Sequence, residues 1–331
     1  MKAAVLIANK EPLVIQEWAL PKLEQDEVLV QLKAAALNHR DVWIQKGLYA
    51  GITYPIILGS DGAGVVVQSA SKENKHLEGK EIIINPSHDW GDNPRVQGRN
   101  YHILGLPQHG TFAEYVKVKA QYIVEKPAHL SFEEAAALPL AGLTAYRTLF
   151  TRAATTKQDQ VLISGVGGGV ALFACQFAIA CGASVYVTSS SQQKIEAAQR
   201  LGAKGGANYK EEKWAKAFKK QVGAFDVIID SACGSGFNTL IGLANMGGRI
   251  AFYGATRGLV PNLKVHQIFW KQLSILGSTM GHSVEFAEMV AFVGEHEIKP
   301  VVDSCFSLND IQKAMDYMDA GKQFGKIVIQ F

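Results

Sequence analysis

Hydrophobic and polar positions alternate through the first 36 residues and shift to a longer period beyond residue 130. The early runs cover 3–7, 13–17 and 27–36, the last reading EVLVQLKAAA, with Pro21 and Asp26 as turn residues ahead of it. A period of two on short runs bounded by turn formers predicts half-buried strands. The stretch LNHRDVWIQKGLY follows, polar at first and then helical in pattern up to Gly47, with Tyr49 just beyond. YPIILGSDGAGVVV reads as a buried strand, and its Gly59, Gly62 and Gly64 predict close backbone approach. Residues 77–84 predict another strand. Residues 85–111 are long, polar and rich in Gly and Pro, and alternation then resumes until Pro127 closes the β-rich region. Ser131 with Glu134 three residues on forms a capping box, which opens a helical region over 131–150.

From residue 158 short apolar runs alternate with helical patterns. Strands are predicted at 161–163, 184–187, 225–229, 247–254 and 273–277, with a helix at 192–201 among them; helices at 284–294 and 308–320 and a strand at 326–329 finish the chain. This alternation predicts an α/β fold with a doubly wound parallel sheet, whose ligands sit at the C-terminal strand ends, here Asp230, Gly254 and Ser278. The chain is organised around QDQVLISGVGGGVALFACQFAIACGASVYVTSS (158–190). Its strand–turn–helix–strand plan is that of a dinucleotide site. Gly165 suits the tight turn, and Gly167 has no Cβ to block a pyrophosphate. The helix beginning near Gly168 and Gly169 would offer its unpaired N–H groups to the phosphates. Val170 replaces the third glycine of the usual spacing, so helix–strand packing is expected to accommodate a branched side chain.

The second strand of this unit ends in VTSSSQQK. An NAD site places an acid about 20 residues past the turn. Ser189 stands there instead, followed by Ser190 and Lys194, with no carboxylate before Glu196. Serine hydroxyls and an ammonium suit a 2′-phosphate, which predicts NADPH as cofactor.

Length and charge narrow the classes. At 331 residues the chain suits two domains, and a net charge of +3 without a basic cluster predicts no nucleic-acid partner. The apolar run at the start is too short for a signal-peptide core and none reaches membrane-spanning length, so a cytoplasmic protein with no membrane partner is expected. Cys175, Cys181, Cys233 and Cys305 include no C-x-x-C pair, and no disulfide framework is implied. His88, His102 and His109 fall in the long loop at no compact ligand spacing.

Six stretches carry a resemblance to a known family: AAALNHRDVWIQKGLY (34–49), GSDGAGVV (59–66), AAALPLAGLTAYRTL (135–149), VLISGVGGGVA (161–171), LGA (201–203) and GKIVI near the end. In order and spacing they resemble the medium-chain dehydrogenase/reductase superfamily, on its zinc-independent quinone-oxidoreductase side. The resemblance implies a GroES-like β-barrel catalytic domain (1–123 with 282–331), a Rossmann domain (124–281) and a homodimer paired through 273–277. It places Asn38 at the nicotinamide and Tyr49 toward a small-molecule substrate, as the catalytic candidates. Thr144 is placed near the nicotinamide phosphate, and Tyr209 near the 2′-phosphate. Where zinc-dependent members carry a cysteine and a histidine, this chain has Asn38 and Ser60, beside Asp61, with no cysteine near Leu140. Amide and hydroxyl replace poorly the thiolate and imidazole that zinc prefers, which predicts no metal. The implied function is NADPH-dependent reduction of a quinone or an α,β-unsaturated carbonyl. Three alternatives stay open: a zinc-type alcohol dehydrogenase, an NADPH-binding structural or regulatory protein, and a metal site built from His39, Asp61 and His88.

Overall fold

The computed structural model describes residues Met1–Phe331, which form two compact units, Met1–Ala141 with Gly281–Phe331, and Gly142–Met280. The contact boundary at 141/142 lies later than the 123/124 read from the sequence. The reason is packing: helix Phe132–Ala137 lies on strands Glu27–Ala36, Asp61–Ser69 and Lys326–Gln330 of the first unit. Its capping box forms as expected, with Glu134 N–H donating to Ser131 Oγ and Ser131 N–H donating to Glu134 Oε2.

The first unit is β-rich. Its main sheet runs Ile123–Glu125, Glu81–Ile84, Asp61–Ser69, Glu27–Ala36, Lys326–Gln330, Val302–Ser307, with Tyr115–Lys119 also paired to Glu27–Ala36. Glu27–Ala36 forms where predicted but is buried on both faces at 28–30 and 34–36, and it places Val28, Val30 and Leu32 in one core with Val66, Ile82 and Val116. Each such side chain contributes about 1.5–3 kcal/mol when fully buried. A smaller sheet joins Val14–Glu17, Lys2–Leu6 and Ile56–Ile57. The strand expected at 77–84 is shorter, Glu81–Ile84. Lys75–Leu77 is a 3₁₀ turn, and Gly79 (φ +82°) reverses the chain before the strand begins.

The second unit is a six-stranded parallel sheet ordered Gly205–Asn208, Ser184–Ser189, Gln160–Ile163, Phe225–Asp230, Ala244–Phe252, Ser274–Gly277. The order turns back on the first strand, so the chain is doubly wound, and the first strand and its turn sit at the switch point. Val161, Leu162 and Ile163 are fully buried, as a strand covered on both faces requires. The last strand, Ser274–Gly277, pairs with Ala244–Phe252 only. No helix is long and apolar enough to cross a membrane.

Candidate active site in two parts

In the second unit the glycine turn is pinned from both sides: Ser164 N–H donates to Ile229 O (2.9 Å), Gly165 N–H to Thr188 Oγ1 (3.0 Å), and Val166 N–H to Thr188 O (2.7 Å). Gly165 takes φ +68° and Gly167 φ +145°, conformations that a Cβ disfavours. A Cβ placed on Gly165 or Gly168 would meet no atom within 4 Å, so both face open space. Helix Gly169–Ala180 starts directly behind, with Gly168 as N-cap, and its first N–H groups have no partner within the helix. The turn thus has room, open backbone donors and a positive helix end for a pyrophosphate. Val170 is half-exposed while Ala171 and Ala174 are buried. The branched side chain expected to burden the packing does not face the sheet.

The residues expected around a 2′-phosphate converge. Ser189 ends its strand, buried, and its hydroxyl accepts from Ser191 N–H (3.2 Å). Half-buried Ser190 links it to Ser191, the N-cap of helix Gln192–Arg200. Tyr209 N–H donates to Ser189 O (3.1 Å), which sets Tyr209 beside that strand end. Lys194 reaches over the turn: a Cβ placed on Gly167 would stand 3.3 Å from its Nζ. Gly167, Ser189, Lys194 and Tyr209 therefore share one corner. Gly254 lies elsewhere, past the Ala244–Phe252 strand, where its carbonyl accepts from Cys233 Sγ–H (3.3 Å). Asp230 ends the neighbouring strand, buried, and accepts from Cys233 N–H (2.7 Å). Thr144 is buried, its hydroxyl directed at Met280 Sδ (3.7 Å).

In the first unit, helix His39–Gln45 carries the polar groups. Asn38 is its N-cap, and Asp41 Oδ2 accepts Asn38 N–H (2.8 Å), which closes the first turn. The Asn38 amide is held by a network invisible in the sequence. Its Nδ2 donates to Asp61 Oδ2 (2.9 Å), and its Oδ1 accepts from Lys326 Nζ (2.7 Å). Lys326 also donates to Leu37 O (2.8 Å) and Asp61 Oδ2 (2.9 Å), while Asp61 Oδ1 accepts Leu140 N–H (2.8 Å). Lys326 and Asp61 are 4% and 0% exposed, a fully enclosed ion pair. Burial pushes the Asp41 carboxyl up to about 6, against the pull of Arg40, and its Oδ1 has no partner.

Arg40 is the other group that pattern reading passed over. It is 6% exposed, and its Nη1 donates to Ser60 Oγ (2.6 Å) and Leu104 O (3.0 Å). Its guanidinium carbon lies 5.7 Å from the ring centre of Tyr49, which is half-buried just past the helix. His39, by contrast, stands beside Trp43 on the exposed side of the helix, and His88 stacks on Tyr122 (4.0 Å between centres). These two histidines are not gathered with Asp61, and no group of three His, Cys, Asp or Glu side chains is arranged to hold a metal ion. The loop histidines instead line a separate cavity of about 630 Å³ with Trp18, Lys117 and Tyr122, which contains neither Asn38 nor Tyr49.

Residues 24–128 match the alcohol dehydrogenase GroES-like domain, and residues 169–295 the zinc-binding dehydrogenase family. The zinc-type alcohol dehydrogenase-like protein YogA of Leptosphaeria maculans is 35% identical over 339 residues, spanning 96% of this chain and 94% of its own. The chain belongs to the medium-chain dehydrogenase/reductase superfamily. It is an oxidoreductase of that type, with a GroES-like domain, a Rossmann domain and a nicotinamide cofactor. A crystal structure described as an NAD-dependent alcohol dehydrogenase superposes with TM-score 0.95 at 36% identity, covering all of both chains. The 2-methylene-furan-3-one reductase of Solanum lycopersicum is 30% identical over 316 residues, covering 94% of this chain and 73% of its own. Relatives of both chemistries thus share this framework, and the choice between them falls to this chain's own residues.

Proposed function

We propose that the enzyme reduces the conjugated double bond of an α,β-unsaturated carbonyl, or a quinone, using NADPH and no metal. The observation that carries this reading is the donor set at the position where zinc would sit. Asn38 and Ser60 offer an amide and a hydroxyl, and two buried cations stand against them. Lys326 Nζ is 2.7 Å from Asn38 Oδ1, and Arg40 Nη1 is 2.6 Å from Ser60 Oγ. A dication held by thiolate and imidazole elsewhere finds neither ligand here and meets like charge. The residues present do not fit zinc.

Without a Lewis acid, a simple ketone is a demanding substrate, because reduction places a full charge on one oxygen. A conjugated carbonyl or quinone spreads that charge over an enolate, and hydrogen-bond donors suffice to hold it. Asn38, fixed by Asp61 and Lys326, is assigned to orient the reacting face, and Tyr49 to deliver a proton from its hydroxyl to the α-carbon. NADPH, when bound, supplies the hydride. The open face of Gly165 and Gly168, the φ of Gly167 and the helix start at Gly169 support binding of its pyrophosphate, and Gly254, past a strand on the side of the turn away from Ser189, the opposite end of the cofactor from the 2′-phosphate. Thr144 is assigned to the nicotinamide phosphate. Ser189, Ser190, Lys194 and Tyr209 support the 2′-phosphate, because no carboxylate stands at the strand end to repel it. A homodimer is proposed through the edge strand Ser274–Gly277. That strand and the preceding helix, Val265–Trp270, leave Ile275, Val265, Phe269 and Trp270 exposed, the last by 76%.

The test incubates an α,β-unsaturated aldehyde with 4-deuterated NADPH and locates the label. Deuterium on the β-carbon of a saturated product is expected; deuterium on the carbonyl carbon of an allylic alcohol overturns the reading. A zinc-dependent alcohol dehydrogenase is the second reading, favoured by the names of several relatives. One zinc per chain, with activity lost to a chelator and restored by zinc, would establish it.

A further inference from the structure

Arg40 is an expensive residue for its position. It sits in the first turn of helix His39–Gln45, where the helix dipole disfavours a cation. It is more than nine-tenths buried, and no carboxylate forms an ion pair with it. Its Nε is enclosed without an acceptor, while only Nη1 is used, by Ser60 and Leu104. The neighbouring carboxylate, Asp41, is ionised above about pH 6 but forms no ion pair with Arg40, its Oδ2 being taken by Asn38 N–H (2.8 Å). A buried, unpaired guanidinium with an idle N–H is a receptor for an anion that the chain does not itself supply.

The groups around it fit that reading. The Tyr49 ring lies 5.7 Å from the guanidinium carbon and restrains it through cation–π contact. Tyr101 lies within the electrostatic reach of both Arg40 and Tyr49, and its buried hydroxyl has Ser87 as its one polar side-chain neighbour, short of a well-formed hydrogen bond. Burial pushes that phenol up to about 12, so it stays a neutral donor through the physiological range. Ser60, the other neighbour, spends its proton on Leu104 O (2.7 Å) and so presents only a lone pair to Arg40. The one cation and two phenols are therefore donors near one another, while the acceptors at hand, Ser60 Oγ and Leu104 O, both lie on Nη1 and leave Nε unused.

We propose that Arg40, flanked by Tyr49 and Tyr101, is the oxyanion receptor of this enzyme. It would hold the substrate's carbonyl oxygen as that oxygen becomes an enolate, and so do by charge-assisted hydrogen bonding what a metal does in zinc-dependent members. This rests on the conjugated-carbonyl reading above. Arg40 transfers no proton and forms no bond: a hydride and a proton add across the carbon–carbon double bond, NADPH leaves as NADP⁺, and the oxygen is a carbonyl again at the end. The substrate class that follows is a compact unsaturated aldehyde or ketone whose oxygen can reach a buried guanidinium.

The test uses butyrate, whose carboxylate mimics the enolate oxygen, titrated calorimetrically into the NADP⁺-loaded full-length protein. Wild type is expected to bind it in competition with an enone, and Arg40→Met to bind it at least about tenfold more weakly, the loss of one charge-assisted hydrogen bond. Arg40→Lys keeps the charge and should recover most of that affinity, with NADPH affinity unchanged in both variants. Equal butyrate binding by folded Arg40→Met overturns the proposal, as does wild type that does not bind. Should Arg40→Met fail to fold, the Nε–H resonance of Arg40 in ¹⁵N-labelled wild type decides: it is expected to shift downfield with butyrate, and an unmoved resonance overturns the assignment. Butyrate binding needs no turnover. A protein that binds butyrate through Arg40 but reduces no enone refutes the reaction and retains the receptor, and the converse refutes the receptor alone.

Discussion

Replacing Lys326 by methionine would probe the support beneath Asn38. The change keeps the side chain's length and apolar stem and removes its charge. Three acceptors lose their donor at once: Leu37 O at 2.8 Å, Asn38 Oδ1 at 2.7 Å and Asp61 Oδ2 at 2.9 Å. Breaking a buried ion pair from one side costs about 3–5 kcal/mol, because the remaining charge is stranded. Asp61, with no exposed surface, keeps hydrogen bonds from Leu140 N–H and Asn38 Nδ2, which moves the value toward the lower end of that range. The orphaned Leu37 and Asn38 oxygens add about 1 kcal/mol between them, since they are left in the same small space. The expected loss is therefore about 4 kcal/mol, close to three powers of ten in the folding equilibrium. Urea unfolding followed by circular dichroism reads it, as a lowered midpoint of the transition that belongs to the β-rich unit. The double variant Asp61→Asn with Lys326→Met removes the stranded charge and should recover more than half. A single-variant loss below about 1 kcal/mol, or a double variant no more stable than the single, would refute the view that this pair is a coupled, desolvated support.

Three further outcomes are expected. Burial holds the Asp41 carboxyl at about 6, above its ordinary 3.8, so the folded protein binds that proton more tightly than the unfolded chain. The charged form then costs stability above pH 6, and the cost fades as pH falls toward 3.8; Asp41→Asn, which still accepts Asn38 N–H, should gain about 1–3 kcal/mol at pH 7.5 and nothing near pH 4. A gain that grows on acidification would reverse the sign and sink the argument. Lys194→Ala should weaken NADPH by about 10- to 100-fold in a fluorescence titration and NADH hardly at all; equal loss for both cofactors would remove Lys194 from the 2′-phosphate. Tyr49→Phe should lower turnover by about two to four orders of magnitude with cofactor affinity unchanged, the range for a lost general acid, and a loss under about tenfold would make water the proton source.

Legibility in the sequence followed the range of the interaction that fixes each element. Strand Glu27–Ala36 was readable because its alternation is local, and so was the turn at Gly165 and Gly167, whose conformations only glycine adopts freely. Strand Gly205–Asn208 was not. Its sequence is GGAN, with only Ala207 to pack against the core, and pairing with Ser184–Ser189 makes it a strand. Val302–Ser307 was hidden in the same way, its polar run VDSCFS ordered by pairing with Lys326–Gln330. The candidate site divides similarly. Asn38, Ser189 and Lys194 could be named from motif and spacing. Lys326 looked like the first residue of an apolar strand, because its partners are 265 to 289 residues away. Arg40 read as one more polar residue of LNHRD, since nothing in the sequence says that its side chain is enclosed without a carboxylate.

The pairing of Lys326–Gln330 with Glu27–Ala36 also sets a schedule for synthesis. The nucleotide-binding unit is one unbroken length of chain, 142–280, and every strand of its sheet has been made before Lys326–Gln330 emerges. The β-rich unit begins first and is completed last. Until residue 326 emerges, Asp61 lacks its cation, Asn38 lacks one of its two anchors, and the edge of Glu27–Ala36 that will pair with Lys326–Gln330 stays open to water or to another chain. A chain stopped before residue 326 would thus be a protein whose cofactor-binding unit is whole while its other unit keeps an unpaired strand edge, a species for quality control to recognise by its β-rich half.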